Sequence, residues 1–307
     1  MPINKEKYDL PKIIAVLGPT SSGKSDLAVL LALKFGGEVI SADSRQVYRG
    51  LDIATGKITK EEMNGVPHHL LDVANMKERY TVSHFKREAE TAIDDILLRG
   101  KLPILSGGTM QYVNAVTENF LTPETPPDND LRSELEKMST RDLFEKLKHL
   151  DPRRAENIDE DNPRRLIRAI EICRSLGFVP DFLQSQKKYN TLKIGISIDR
   201  DVLRSHISER LEKRMRIGMV DEAKKLHENG LSFERMKEFG LEYRYLAEHL
   251  EGKISEEEMK DKIFFKNWQY SKRQMTWMKR DETIRWFSDS EFDAICSEVE
   301  KFIKETP

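Results

Sequence analysis

The stretch Gly18-Pro19-Thr20-Ser21-Ser22-Gly23-Lys24-Ser25 fits the pattern G-x-x-x-x-G-K-[ST]. It restricts the fold more than any other segment, because such a loop works only between a strand and a helix. Both flanks are present. Ile13 to Leu17 is a short apolar run bounded by Pro11 and Gly18, as expected of a buried parallel strand. From Ser25 onward, Leu27, Leu30 and Leu31 follow helical spacing until Gly36 and Gly37 stop it. The loop amides would turn toward an anion, and the helix start adds about half a positive charge. Gly18 to Ser25 is therefore a candidate phosphate grip, with Lys24 on a terminal phosphate and Ser25 on Mg²⁺.

Strand and helix alternate beyond the loop. Glu38 to Ala42 and Leu102 to Leu105 read as strands, the second starting at its proline. Between them, Phe85, Ala89, Ala92, Ile93 and Ile96 mark a helix over 83–98, with Gly100 suited to its cap. This order predicts an α/β fold: a P-loop-type parallel sheet flanked by helices. Thr122 to Asp128 is proline-rich and polar, an exit from the core. The helical residues after it include Asn162 as a cap and Pro163 at the first turn, with a stripe of Leu166, Ile170 and Cys173 ending at Gly177. Leu192 to Ile198 alternates and returns to the sheet, further helices run to about Arg280, and Ile284 to Phe287 is a last strand. The predicted domains are a core of 1–122 and 190–307 and an inserted helical lobe of 123–189.

Bulk properties exclude several classes. No apolar run approaches the roughly 18 residues that span a bilayer, and the segment from Met1 to Lys12 lacks a signal peptide's apolar centre. Cys173 and Cys296 stand far apart, so neither a disulfide framework nor a zinc site is expected. A reducing cytoplasmic compartment is the expectation. The net charge of −2 does not advertise a nucleic-acid partner, although a basic face can exist on a neutral protein.

The phosphate motif does not itself specify nucleotide hydrolysis. Many P-loop enzymes hold Mg²⁺ with an aspartate at a later strand end, whereas the strand from Leu102 runs into Ser106, Gly107, Gly108 and Thr109. The acidic residue that stands out at a strand end is Asp43, open to reading as a base, a metal partner or a helix cap. His68 and His69 are adjacent, and neighbours in sequence do not converge on one metal ion, so a structural role is expected.

Several blocks resemble the tRNA dimethylallyltransferases in order and spacing. They are Gly18 to Ser25, Ser41-Ala42-Asp43-Ser44-Arg45-Gln46-Val47-Tyr48, Pro67 to Asp72, Gly107 to Thr109, Asn162 to Arg168, and Ser271-Lys272-Arg273-Gln274-Met275-Thr276-Trp277. The resemblance spans about residues 12–287. It implies transfer of a dimethylallyl group from dimethylallyl diphosphate to the exocyclic amine of the adenosine 3′ of the anticodon in tRNA. The P-loop would then hold a diphosphate leaving group, with Mg²⁺. By the same resemblance Asp43 deprotonates the amine, Thr109 contacts substrate, Arg210 steadies the diphosphate, and Thr20, Lys24 and Ser25 contact diphosphate and metal. It further assigns tRNA contacts to Asp43, Ser44, Arg45, Gln46, Arg164, Arg165, Arg168, Arg244, Lys272, Arg273 and Gln274. Two positions depart from the pattern. Glu242-Tyr243-Arg244 stands for the usual Gly-Tyr-Arg, and Ala54-Thr55-Gly56-Lys57 for the commoner Gly-Thr-Ala-Lys.

Between Lys262 and Arg280 there are six basic residues and no acidic one. Phe264, Trp268, Met275 and Met278 recur at helical spacing, and Lys266, Arg273 and Arg280 share a face. The reading is one helix with an apolar seam inward and cations outward, facing phosphate. Arg164, Arg165 and Arg168 are balanced locally by Asp159, Glu160 and Asp161; only the resemblance raises them above a surface ion-pair set. The expected partners are tRNA and dimethylallyl diphosphate, with no membrane, on a monomer. The competing readings are an adenylate dimethylallyltransferase, a small-molecule kinase of the P-loop class, and an RNA-binding module with a degenerate P-loop.

Overall fold

The computed structural model describes residues 10–120, 125, 128–180 and 186–305. The chain divides into two compact units, Met1–Asn119 with Gln186–Pro307, and Phe120–Ser185. The second unit starts and ends a few residues earlier than the proline and β-rich signals suggest. The reason is Asn119, whose Nδ2 donates to Gln186 O at 2.8 Å and whose Oδ1 accepts from Lys86 at 2.6 Å, pinning both chain crossings together.

The first unit runs β1 (Lys12–Leu17), α1 (Lys24–Phe35), β2 (Gly37–Ser41), β3 (His68–His69), α2 (Val82–Leu98), β4 (Leu102–Gly107) and α3 (Met110–Thr117). The second unit holds α4 (Asn129–Leu135), α5 (Thr140–Leu150), α6 (Pro152–Ala155) and α7 (Pro163–Leu176). The chain re-enters the first unit with β5 (Asn190–Ser197), α8 (Arg200–Arg216), α9 (Met219–Glu228), α10 (Phe233–Lys237), α11 (Leu241–Leu250), α12 (Glu256–Met278), β6 (Ile284–Ser288) and α13 (Phe292–Lys304).

The six strands form one parallel sheet in the order β3-β2-β4-β1-β5-β6. Alternate β1 residues serve the two faces. Ile13, Ala15 and Leu17 pack with Phe85, Ile93 and Val113 on one side. Ile14 and Val16 pack with Leu27, Leu31, Val299 and Phe302 on the other. Burial on both faces explains why this strand is apolar throughout. Helices α8 to α12 have their own core, in which Leu211, Met236, Phe239 and Tyr243 close over Val47, Tyr48 and Leu51.

The histidine pair lies on the short edge strand. His69 Nε2 meets the buried Glu38 carboxylate at 2.7 Å and His68 Nδ1 meets Val66 O at 2.9 Å. Arg99 and Lys101 also pair with Glu38, and Arg99 leads in holding that carboxyl far below the usual range.

The basic segment differs from its expected form. Helix α12 begins at Glu256, before the cationic stretch, and ends at Met278, so Lys279 and Arg280 lie past it. Its buried seam is Met259, Ile263, Trp268, Ser271, Gln274 and Met278, while Phe264 and Met275 are half-buried. Two polar residues, Ser271 and Gln274, interrupt the apolar periodicity of this seam.

One carboxylate ties the helical layer to the loop between β2 and β3. Glu222 accepts backbone N–H bonds from Asp52 at 3.1 Å, Ile53 at 2.6 Å and Ala54 at 3.1 Å, and the Tyr243 hydroxyl at 2.6 Å. Bonds to a charged acceptor are the strong class. Glu222→Ala is expected to lower unfolding free energy by about 3 kcal/mol in urea titration, since three amides lose a charged acceptor. A loss under ~1 kcal/mol would show that water replaces it.

Candidate active site

A parallel sheet presents its carboxyl ends along one edge, where ligands of such folds bind. Here β2, β4 and β1 are neighbours in that edge, so three loops converge. Ala42 N donates to Ser106 O at 2.7 Å and Thr109 N donates to Ala42 O at 3.3 Å. These bonds extend the β2–β4 ladder into the loops and bring Asp43 and Thr109 together.

Asp43 is half-buried. Its Oδ1 accepts from Arg45 N at 2.8 Å and more weakly from Gln46 N at 3.4 Å, a turn that aspartate makes readily. Among the described residues Oδ2 has no hydrogen bond to protein, so one carboxylate oxygen is fixed and the other is available. Thr109 Oγ1 accepts from Ser44 N at 3.2 Å and donates to Ser44 Oγ at 3.5 Å. Thr109 thus holds the loop that carries Asp43.

The P-loop lies beside them. Ser22 N donates to Pro19 O at 3.3 Å, and Ser21 takes φ 63°, a conformation that costs a non-glycine residue and recurs at functional sites. Gln274 braces this loop from α12. Its Oε1 accepts from Thr20 N at 2.9 Å and its Nε2 donates to Gly108 O at 2.9 Å. A side chain at Gly108 would strike that amide, which accounts for glycine there.

Three cations gather at the same edge. Lys24 Nζ donates to Pro19 O at 3.2 Å. Arg210 Nη2 donates to Gly56 O at 3.0 Å and Arg214 Nη1 to Ala54 O at 3.1 Å. Burial, and then the Arg210 charge, lower Lys24 to a pKa of about 8, against the opposing pull of Asp43. Burial and Arg210 bring Arg214 down to about 10, and burial lowers Arg210 as well. Asp43 lies near enough to oppose the shift in all three. Thr20, Ser21, Arg210, Arg214 and Asn267 line a cleft whose remaining wall is aliphatic, Ile207 and Leu211.

Ser25 is exposed at the start of α1. Among the described residues no group of three or more His, Cys, Asp or Glu side chains could hold a metal. Asp199, two residues beyond β5, is a second acidic residue near a strand end that the sequence reading passed over. Its Oδ1 caps α8 through Asp201 N at 2.8 Å and Val202 N at 3.2 Å.

The residues expected to touch RNA separate into two groups. Arg164, Arg165, Arg244, Lys272 and Arg273 are exposed, and Ser44 and Arg45 are half-buried beside Asp43. On the outward side of α8 and α12, Arg200 and Lys272 each lie 5.5 Å from the Trp268 ring, and Arg273 lies 5.8 Å from Tyr270. Three others are engaged by protein partners. Gln274 is 7% exposed, and its Oε1 and Nε2 each bond to backbone. Gln46 Nε2 donates to Gly56 O at 3.2 Å. In the second unit Arg168 donates to Thr125 O at 2.9 Å and pairs with the buried Glu171 at 3.4 Å. An unpaired Glu171 would be costly in that core, and Arg132 and Arg168 are what neutralise it. Among the described residues no helix is long and apolar enough to cross a membrane.

The sequence pattern and fold have known counterparts. The IPP transferase family profile matches residues 46–281. The tRNA dimethylallyltransferase of Halalkalibacterium halodurans is 40% identical over 304 residues, covering 95% of this chain and 96% of that one. The enzyme of that name from Thermomicrobium roseum is 37% identical and covers 99% and 94%. Among solved structures, the full-length tRNA isopentenylpyrophosphate transferase of Bacillus halodurans superposes with a TM-score of 0.71 at 39% identity, covering 95% of each chain. A eukaryotic dimethylallyltransferase acting on tRNA superposes with a TM-score of 0.81 at 27% identity, covering 97% of this chain and 80% of that one. A parallel P-loop sheet with Asp43 beside the grip and a profile match over most of its length make this chain a member of the IPP transferase family, whose named relatives are tRNA dimethylallyltransferases.

Proposed function

We propose that this protein transfers a dimethylallyl group from dimethylallyl diphosphate to the N6 amine of the adenosine 3′ of the anticodon, position 37, in tRNAs that read codons beginning with U. The observation that carries the reading is the gathering of Lys24, Arg210 and Arg214 around the P-loop with the Asp43 carboxylate beside them. Ile207 and Leu211 line the same cleft, so an anion joined to a short apolar group suits it.

The chemistry follows from the charges. The C1–O bond of the donor breaks, the N6–C1 bond forms, and diphosphate leaves. Negative charge grows on the leaving oxygens, and Lys24, Arg210 and the loop amides from Gly18 to Gly23 are set to stabilise it where it develops. An adenine amine is a poor nucleophile and must lose a proton as the new bond forms. Asp43 Oδ2 is the acceptor that fits, with Oδ1 and Thr109 keeping the carboxylate in register. Such an adenine must leave its stack to arrive, as in other enzymes that act on bases. Mg²⁺ bound with the donor would neutralise part of the diphosphate charge. Ser25 Oγ with the donor's oxygens and water fits that ion, which takes few protein ligands. Arg164, Arg165, Arg244, Lys272 and Arg273 are the exposed cations suited to RNA phosphates. One chain carries all these groups, so a monomer suffices, and the cytoplasm is the expected compartment.

Isothermal titration should give binding of dimethylallyl diphosphate with ATP weaker by tenfold or more, about 1.4 kcal/mol. ATP binding as the tighter of the two, with phosphate transfer, would favour a kinase. Asp43→Ala is expected to slow transfer by ~10² or more while tRNA binding is kept. Full turnover by that variant would remove Asp43 from the proton path.

Lys24 makes the grip sensitive to pH. A phosphate ligand stabilises the ammonium, so binding takes up a proton once the free lysine has lost it. Affinity for inorganic pyrophosphate should therefore fall as pH rises through about 8. Lys24→Arg should flatten that fall, and an unchanged profile in the variant would assign the proton elsewhere.

A further inference from the structure

Gly56 and Glu242 meet on one pair of arginines. A side chain at Gly56, where φ is +61°, would run into the guanidinium groups of both Arg210 and Arg214. Glu242 has its Oε1 3.7 Å from Arg214 Nη1 and accepts from Asn267 Nδ2 at 3.0 Å. Arg214 is only 8% exposed, and Asn267 and Arg214 both line the cleft beside Thr20 and Ser21. The carboxylate is therefore anchored at the wall of the anion site, facing the second arginine.

The distances bear on what Glu242 can do. At 3.7 Å the contact with Arg214 is coulombic rather than a short bidentate bond, while the Arg214 hydrogen bond goes to Ala54 O. Glu242 is thus a counter-charge more than a clamp. Its field reaches Arg210 too, and it opposes the fall in pKa of both arginines. With the side chain 19% exposed, water screens it weakly. A diphosphate entering the cleft meets this negative charge as well as the cations.

We propose that Glu242 is a built-in counter-anion that competes with diphosphate for Arg214 and weakens the hold on the departing product. The idea rests on the diphosphate reading given above. Arg214 and Glu242 then form a matched set: the arginine adds grip, the carboxylate limits it, and Gly56 leaves room for both guanidiniums. Removing the carboxylate should leave an over-charged site that releases product slowly.

The test is titration of full-length protein with inorganic pyrophosphate in Mg²⁺, comparing wild type with Glu242→Gln and Glu242→Gly. The glutamine keeps an oxygen for Asn267 and the glycine removes the side chain altogether, so one of the two remains informative if the other folds poorly. Both variants should bind pyrophosphate about tenfold more tightly, as expected when one charge is removed from a partly desolvated site. Product inhibition in steady-state turnover should strengthen in the same ratio. A wild type that binds pyrophosphate while neither variant binds it more tightly overturns this inference alone. A wild type that does not bind pyrophosphate overturns the diphosphate reading and this inference with it.

Discussion

Three cations crowded at one edge of a parallel sheet impose the main constraint on this molecule. Lys24, Arg210 and Arg214 repel one another where water is scarce, and burial with mutual repulsion drives Lys24 and Arg214 below their ordinary pKa values. Such a cluster is tolerable only if the surroundings give each group a fixed acceptor and the site expects an anion. Ala54 O and Gly56 O supply two of those acceptors, and Pro19 O a third. The segment from Asp52 to Ala54 is in turn held by Glu222 through its backbone amides. The helical layer that contributes Arg210 and Arg214 therefore also fixes the loop that orients them.

The same logic places the proton acceptor. The β2 and β4 ends continue their ladder one step past the sheet, so Thr109 N donates to Ala42 O, the residue before Asp43. Gln274 then ties the P-loop to Gly108. Grip, base and brace come from four separate segments, joined mostly by bonds to main chain. Rigidity of that kind suits chemistry in which a leaving group and an incoming amine must line up.

Much of this was legible in the residues. The loop from Gly18 to Ser25 declared its strand and helix, and Asp43 stood out as an acidic residue at a strand end. The wide departures lay where long-range contacts decide. Arg214 reads as one more cation on a charged helix, because nothing local shows that its guanidinium is buried against Ala54. Gln274 sits in a basic segment and reads as an RNA contact, yet its partners are Thr20 and Gly108, more than 160 residues away. Arg168 reads as part of a surface cluster until Glu171 is seen buried beside it. A buried polar residue is chosen by partners that sequence spacing does not reveal. The signal available was weak: Glu242 and Gly56 stood out only against the resemblance, and both lie at the arginine pair.

The central claim is that this phosphate grip serves a leaving group while RNA supplies the nucleophile. The most direct measurement is mass spectrometry of tRNA nucleosides after incubation with purified protein, Mg²⁺ and dimethylallyl diphosphate. The account predicts one adenosine per modified tRNA carrying an added dimethylallyl group, with diphosphate released in equal amount. Unmodified tRNA, together with prenylation of free AMP or transfer of phosphate from ATP, would contradict it.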